Sequence, residues 1–365
     1  MEALRDGSER ARSVYSGITF VGDIASPTPI TNRAHSVMVP SAFECVVANL
    51  EGALVRDTEP WFDKCVIFND VSVLDYLLSI NTRVAILANN HTMDIPSALL
   101  PTCETLRGAG ILVSGAGENR AAAERAVALQ YQDRQIVILS FGWETIGCIA
   151  ASDTNSGVNP LRPTSILNSL TRVRKLDPRS AVVAVFHWNY ELEVYPQPMH
   201  RDLAFACIDH GADLVIGSHP HIPGGIEWHC GRPVVYSLGN WQFRQRSFFN
   251  GRVYFPSAAR SQLAVQWDPA TGQLLCHWFT FCPETSEVSY GATEDARISP
   301  RIRELTPFRG FSAAEYRNWF RAARTRRKGL PIYDSYEANL GNAFRDIYIR
   351  GRHQVIRTLI RIGIR

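Results

Sequence analysis

The sequence predicts an α/β fold with a mixed β-sheet, and three observations support this. Segments typical of strands and helices alternate along the chain to about residue 240, as they do in α/β proteins. Residues 262–267 and 273–279 flank Pro269-Ala270-Thr271-Gly272 and predict a β-hairpin. Polar side chains follow several of the strand-like segments, which is where open α/β sheets build their sites.

Three apolar runs in the first part of the chain are typical of strands. They are residues 18–22, 45–48 and 83–88, and they lead into Asp23, Glu51 and the pair Asn90-His91. Apolar side chains at helical spacing predict helices at 72–79 and 96–109.

The same alternation continues in the middle of the chain. Strands are expected at 111–113, 135–141, 181–186, 213–217 and 233–238, and helices at 118–127, 165–175 and 198–210. Residues 150–163 are rich in Ser, Asn, Gly and Pro and predict a loop. The last three strands lead into His187, into His219 and His221, and into Asn240.

Composition indicates a soluble cytoplasmic protein. Hydrophobic residues make up 45% and charged residues 20% of the 365-residue chain, as in ordinary globular proteins. No apolar run reaches the roughly 18 residues that a transmembrane helix needs. Residues 1–16 form a polar tail with no signal-peptide core. The eight cysteines show no paired spacing, so we expect reduced, buried thiols.

Six side chains at the strand ends form a candidate metal site: Asp23, Glu51, Asn90, His187, His219 and His221. Oxygen and imidazole ligands suit Mn, Fe or Zn. Alone, each residue has an ordinary structural explanation, such as a helix cap for Asp23 or a turn for Asn90. In an extended segment, the spacing of two would place the rings of His219 and His221 on one side. Because candidate ligands follow five separate strand-like segments, a shared metal site is favoured over separate structural roles for these residues.

Ordered motifs in this region resemble those of a known family. They are Val21-Gly22-Asp23, Ala48-Asn49-Leu50-Glu51-Gly52, Leu87-Ala88-Asn89-Asn90-His91, Gly115-Ala116-Gly117, His187-Trp188, Gly217-Ser218-His219-Pro220-His221 and Tyr236-Ser237-Leu238-Gly239-Asn240. Residues 17–243 thus resemble the CapA family of capsule and poly-γ-glutamate biosynthesis proteins, within the calcineurin-like metallophosphoesterase superfamily. The resemblance implies a four-layer αββα sandwich with mixed β-sheets.

The resemblance also implies roles for the matched residues. Glu51 would bridge two ions, with Asn90, His187 and His219 on one and Asp23 and His221 on the other. His91 would protonate a leaving oxygen without binding metal. Asp94 or Glu191 would orient a nearby imidazole. Asn240 would contact a metal ligand without binding metal itself.

The sequence departs from the superfamily pattern near Asp23. That pattern begins Asp-x-His, whereas Ile24 and Ala25 follow Asp23 here. Glu51 is one methylene longer than the usual bridging Asp. Within the narrower family, Asn189 replaces a usual Gly and Pro223 a usual Gln. We therefore expect one or two divalent ions, with the second weak, displaced or absent.

The C-terminal part of the chain is basic. Residues 311–365 hold 12 Lys and Arg against 4 Asp and Glu, so their net charge is +8 while the whole chain carries +3. We expect a domain at 17–305 and a basic, mainly helical extension at 306–365. The segment 344–365 mixes apolar residues with arginines, and three hypotheses remain open for it: a helix packed on the body, a contact with the inner face of an anionic membrane, or a contact with a polymer synthase. Nucleic acid is not expected, because no binding motif accompanies the charge.

The sequence thus predicts a metal-dependent hydrolase of the phosphoesterase type that acts on a polymer or a phosphoester in bacterial capsule, exopolysaccharide or poly-γ-glutamate biosynthesis. A divalent ion would lower the pKa of bound water to roughly 7 and polarise the scissile group. Two alternatives stay open: a general metallophosphatase unrelated to capsule, and a non-catalytic scaffold or polymer-binding subunit.

Overall fold

The computed structural model describes residues 17–30, 39–62, 64–249, 251–285, 287–325, 329–337 and 339–361. The predicted N-terminal tail and the last four residues of the predicted C-terminal helix lie outside these ranges. Within the described residues the chain forms two large β-sheets with helices on their outer faces.

The first sheet contains eight strands and is mixed. Its strands are β1 (Ile18–Ala25), β2 (Val46–Leu50), β5 (Thr82–Ile86), β6 (Leu112–Ser114), β15 (Asn240–Phe243), β16 (Ser261–Trp267), β17 (Leu274–Cys282) and β18 (Glu287–Asp295). The order is β18-β17-β16-β1-β2-β5-β6, and β15 pairs with the second half of β1. Strands β16 to β18 are antiparallel, which confirms the predicted hairpin.

The second sheet contains six strands in the order β13-β14-β12-β11-β9-β8. They are β8 (Val127–Tyr131), β9 (Arg134–Gly142), β11 (Ala181–His187), β12 (Leu214–Ser218), β13 (Ile226–His229) and β14 (Arg232–Val235). The four central strands are parallel and the two edge strands antiparallel. Two small sheets pair β3 (Ala53–Val55) with β4 (Phe68–Asp70) and β7 (Ala116–Gly117) with β10 (Gly157–Val158).

The two large sheets pack face to face between helices. Alternate residues of β11 show this arrangement: Val183 and Val185 join a core with Val47 and Val84 of the first sheet, whereas Val182 packs towards the helical side. Burial on both faces explains why the strands are continuous apolar runs. The helices are α1 (Val73–Ser79), α2 (Leu99–Gly108), α3 (Arg120–Ala123), α4 (Pro163–Leu176), α5 (Pro198–Asp209), α6 (Pro300–Leu305), α7 (Ala313–Ala323) and α8 (Leu340–Arg361). The predicted helix–sheet–sheet–helix architecture is confirmed.

The structure corrects the bounds of two predicted elements. The helix expected at 118–127 shrinks to α3, and Val127 begins strand β8, because pairing with β9 overrides the helix propensity of the alanines. The strand expected at 233–238 ends at Val235, where the chain turns towards Asn240. Of the helices that the structure describes, none combines the length and hydrophobicity needed to cross a bilayer.

Candidate metal centre

The carboxyl ends of β1, β2, β5, β11 and β12 meet at one edge of the sandwich, and they bring the six predicted ligands together. All six are buried: Asp23, Glu51, Asn90, His187, His219 and His221. The rings of His187 and His219 lie 4.9 Å apart between centroids. Parallel strands from two facing sheets thus contribute side chains to one cluster.

Asp23 is positioned by an irregularity of strand β1. The sequence placed it after a strand, but β1 continues to Ala25, with register shifts on both sides of Asp23. Such bulges redirect a side chain at a sheet edge. The Oδ1 atom of Asp23 accepts a 2.7 Å hydrogen bond from Asn49 Nδ2, and Oδ2 lies 3.2 Å from His221 Nδ1.

His219 and His221 do not lie in an extended segment, so that expectation is wrong. Their φ angles are +95° and +60°, a region that residues with a Cβ seldom occupy. The strand ends at Ser218 and the backbone turns through both histidines. The rings nevertheless reach the same cluster, with centroids 5.8 Å apart. Strained backbone of this kind persists where the surroundings fix it, often at functional sites.

Glu51 lies at the centre of the cluster. Its Oε1 atom is 3.7 Å from His91 Nε2 and 4.0 Å from His187 Nε2, and its Oε2 atom is 4.0 Å from His221 Nδ1. Neither oxygen has a hydrogen-bond partner among the described residues, although the side chain is fully buried. A buried carboxylate without partners is costly, so these oxygens point to a cation.

Burial and charge shift the pKa values of the cluster in different directions. Burial and the charge of Asp23 raise the pKa of Glu51 to about 8. Burial opposes ionisation of Asp23 too, but its hydrogen bond with His221 and the charge of that ring lower its pKa overall. Burial lowers the pKa of His187 to about 3 and that of His219 well below its usual value. Both rings are therefore neutral at pH 7, which is the metal-binding form.

His91 lies beside Glu51 but differs from the ligands in its exposure and its partner. Its side chain is 14% exposed, and Nδ1 is 2.6 Å from Asp94 Oδ2. Asp94 also accepts a 2.9 Å hydrogen bond from the backbone N–H of Ile67, which fixes the carboxylate. Glu191, the other predicted orienting residue, is exposed and affects Glu51 through its charge. Asn240 places Oδ1 2.9 Å from His221 Nδ1.

Three asparagines organise the site, and the sequence did not single them out as site residues. Asn49 lies between Asp23 and His187, whose Nδ1 is 3.5 Å away. The side-chain amide of Asn69 donates a 2.9 Å hydrogen bond to the backbone carbonyl of Glu51. The Oδ1 atom of Asn89 accepts hydrogen bonds from the backbone N–H groups of Gly52 and His91. A polar residue inside the buried, otherwise apolar strand that leads to Glu51 was the available signal for Asn49.

The donor set fits divalent metal ions. Asn90 Oδ1 and His187 Nε2 are 2.8 Å apart, and His219 Nδ1 is buried without a hydrogen-bond partner among the described residues. Asp23, Glu51 and His221 each offer one atom within 4.8 Å of the others. Oxygen donors and the neutral rings of His187 and His219, around the unpartnered oxygens of Glu51, are the chemistry of Mn, Fe or Zn sites.

Comparisons with known proteins give a family and several relatives. The family model described as "Bacterial capsule synthesis protein PGA_cap" matches residues 12–245. The PGA biosynthesis protein CapA of Bacillus subtilis is 30% identical over 172 residues, 46% of this chain and 44% of that protein. A probable polyglutamine synthesis accessory protein of Mycobacterium tuberculosis is 29% identical over 267 residues, 68% of this chain and 70% of its own length.

The chain spans less than half of the Bacillus subtilis relative. Among solved structures, a putative 5'-nucleotidase from Staphylococcus aureus superposes with a TM-score of 0.43 at 12% identity, covering 80% of this chain and 58% of that one.

Proposed function

The chain belongs to the bacterial capsule synthesis protein family, and on that premise we propose that it is a metal-dependent hydrolase of the phosphoesterase type. The observation that carries the proposal is Glu51, fully buried with two unpartnered oxygens among imidazoles. All the proposed site residues fall within the domain that we place at residues 17–305.

Glu51, Asn90, His187 and His219 would hold one divalent ion, and Asp23 and His221 would share Glu51 with a second. An ion bound there supplies an activated water molecule and polarises a phosphoryl or carbonyl oxygen. The surrounding protein favours metal binding, because burial lowers the pKa values of His187 and His219 and keeps both rings neutral. Asn49 and Asn240 fix the orientations of Asp23 and His221 through hydrogen bonds.

His91 is our candidate for the general acid. The Asp94 carboxylate, 2.6 Å from Nδ1, favours a proton on that nitrogen and stabilises the doubly protonated ring. Nε2 then faces the cluster as the donor to a leaving oxygen. A scaffold protein has no need of a partly exposed imidazole backed by a carboxylate, so this pair favours catalysis over the non-catalytic alternative.

We place the reaction in the production of capsule, exopolysaccharide or poly-γ-glutamate, alongside a polymer synthase. The names of the two relatives, a PGA biosynthesis protein and a polyglutamine synthesis accessory protein, support this setting. A general metallophosphatase would use the same cluster on a different substrate.

The test measures metal content and hydrolysis together. Purified protein should contain one or two equivalents of Mn, Fe or Zn by elemental analysis and should hydrolyse generic phosphoesters or an anionic capsule-type polymer. His219→Ala should lose both properties. His210→Ala, at an exposed histidine at the end of α5, is the matched control and should keep both. Metal-replete protein that turns over none of these substrates would instead support the scaffold hypothesis.

A further inference from the structure

Helix α8 exposes a row of large apolar side chains. Five of its side chains are between 53% and 80% exposed: Leu340, Phe344, Ile347, Tyr348 and Val355. At 3.6 residues per turn they fall within an arc of about 100° along one side of the helix. We call these five residues the apolar stripe. Exposed apolar side chains that form a continuous row mark interaction surfaces.

The opposite side of α8 fixes the helix to the protein. Ile349 is fully buried. The Asp346 carboxylate accepts 2.7 Å hydrogen bonds from Thr145 Oγ1 and from the Tyr333 hydroxyl. The helix is therefore anchored in a defined rotation, and the apolar stripe faces outward because the other face is already occupied.

Arginines lie on both sides of the apolar stripe, and acidic residues do not. By helical rotation, Arg345 and Arg352 lie along one edge and Arg350 along the other. Asp346 is the one acidic residue in the sequence of this helix, and its hydrogen bonds point inward. The outward face is thus apolar in the middle and positive at its margins.

We propose that α8 docks this protein on an anionic lipid bilayer, with the apolar stripe in the headgroup region and the arginines on lipid phosphates. Interfacial helices have this layout, with the apolar face at the acyl boundary and basic residues at the polar margin. Arginine side chains at such margins extend their charged ends towards phosphates. The acid-free face is complementary to anionic lipid, which distinguishes a bilayer from a second, equally basic copy of this chain.

The protein-facing side of α8 lies near the candidate metal centre. The helix contacts the turn Glu144–Ile146 through Thr145, and the next residue, Gly147, lies against Asn90. Docking through α8 would therefore hold the candidate metal centre within the protein layer next to the bilayer. The docking itself does not rest on the proposed hydrolase function.

The test is cosedimentation of the full-length protein with phosphatidylcholine vesicles made with or without phosphatidylglycerol. Wild type should bind the anionic vesicles only. Phe344→Ser/Ile347→Ser should weaken binding at least about ten-fold, because each side chain loses its burial in lipid. Arg350→Gln should weaken it about five-fold.

Leu176→Ser/Ile298→Ser is the matched control, because both residues are exposed and apolar but lie outside α8. It should bind like wild type, and all variants should keep wild-type circular dichroism and soluble-substrate turnover. Wild type that ignores anionic vesicles, or stripe variants that still bind them, would overturn the proposal. Dimers that form through the stripe in ultracentrifugation, without vesicle binding, would assign the face to a second copy instead.

Discussion

Replacing Glu51 with Gln should change stability in opposite ways with and without a divalent ion. The substitution keeps the shape of the side chain and removes its charge. Without a cation, the buried carboxylate is held near Asp23 at a high cost, which raises its pKa to about 8 from the ordinary 4.5. With a cation, the same charge is the centre of the binding site.

The size of the effect follows from the pKa shift. Because the folded-state value is the higher one, the folded protein binds this proton more tightly, and the associated stability is lost as pH rises from 4.5 to 8. At 1.36 kcal/mol per pKa unit, the loss at pH 7 is on the order of 3 kcal/mol. Glu51→Gln behaves as a permanently neutral side chain and avoids that loss.

Urea denaturation at pH 5 and pH 8, in a chelator and then with excess Mn or Zn, measures both effects. In the chelator, Glu51→Gln should be clearly more stable than wild type at pH 8, and the difference should fall to about 1 kcal/mol at pH 5. With metal, wild type should gain about 2.7 kcal/mol at a hundred times the dissociation constant, and the variant should gain little. Glu124→Gln, at an exposed carboxylate, should match wild type throughout. Equal metal-induced gains in wild type and Glu51→Gln would refute the central role of this residue.

Three further predictions concern the other site residues and the buried His200. His91→Ala should keep its metal and lose turnover by about 10²–10⁴-fold, less with a good leaving group, whereas His219→Ala should lose metal and activity together in elemental analysis and kinetics. Titration with Mn should show one tight and one weaker equivalent, and Asp23→Asn should remove the weaker one. His200 is fully buried with no hydrogen-bond partner among the described residues, and burial lowers its pKa to about 3. Protonation of the unfolded chain therefore destabilises the fold as pH drops below 6.5, by about 2 kcal/mol at pH 5, and His200→Phe should show a smaller loss in urea denaturation at that pH.

The five strands that lead to the six candidate ligands were accessible from the sequence, because strands buried on both faces are apolar nearly to their carboxyl ends. His187 illustrates this: seven residues of β11 are buried, and the last of them is the histidine. Asn49 was not accessible in the same way. It is a polar residue within β2, and only the fold shows that it lies between Asp23 and His187.

The sequence also could not predict the backbone turn at His219 and His221 or the side of helix α8 that is buried. The turn through His219 and His221 depends on positive φ angles that neither residue prefers. Helix α8 has apolar residues on two sides, Ile349 on one and Phe344 on the other, so periodicity could not decide which side is buried. The hydrogen bonds of Asp346 with Thr145 and Tyr333 decide it, and they join residues far apart in the chain.

The surroundings of Glu51 indicate which of the two proposed ions the missing histidine of the Asp-x-His pattern would weaken. The two oxygens of Glu51 face different groups of donors, with His187 near Oε1 and His221 near Oε2. Asn90 and the ring of His219 lie beside His187, and these are the donors that we propose for the first ion; for the second ion we propose only Asp23 and His221 besides Glu51. A metal ion gains affinity with each well-placed ligand, so the first ion should be bound more tightly. The absent histidine would have added a donor beside Asp23, which is where we expect the weaker ion.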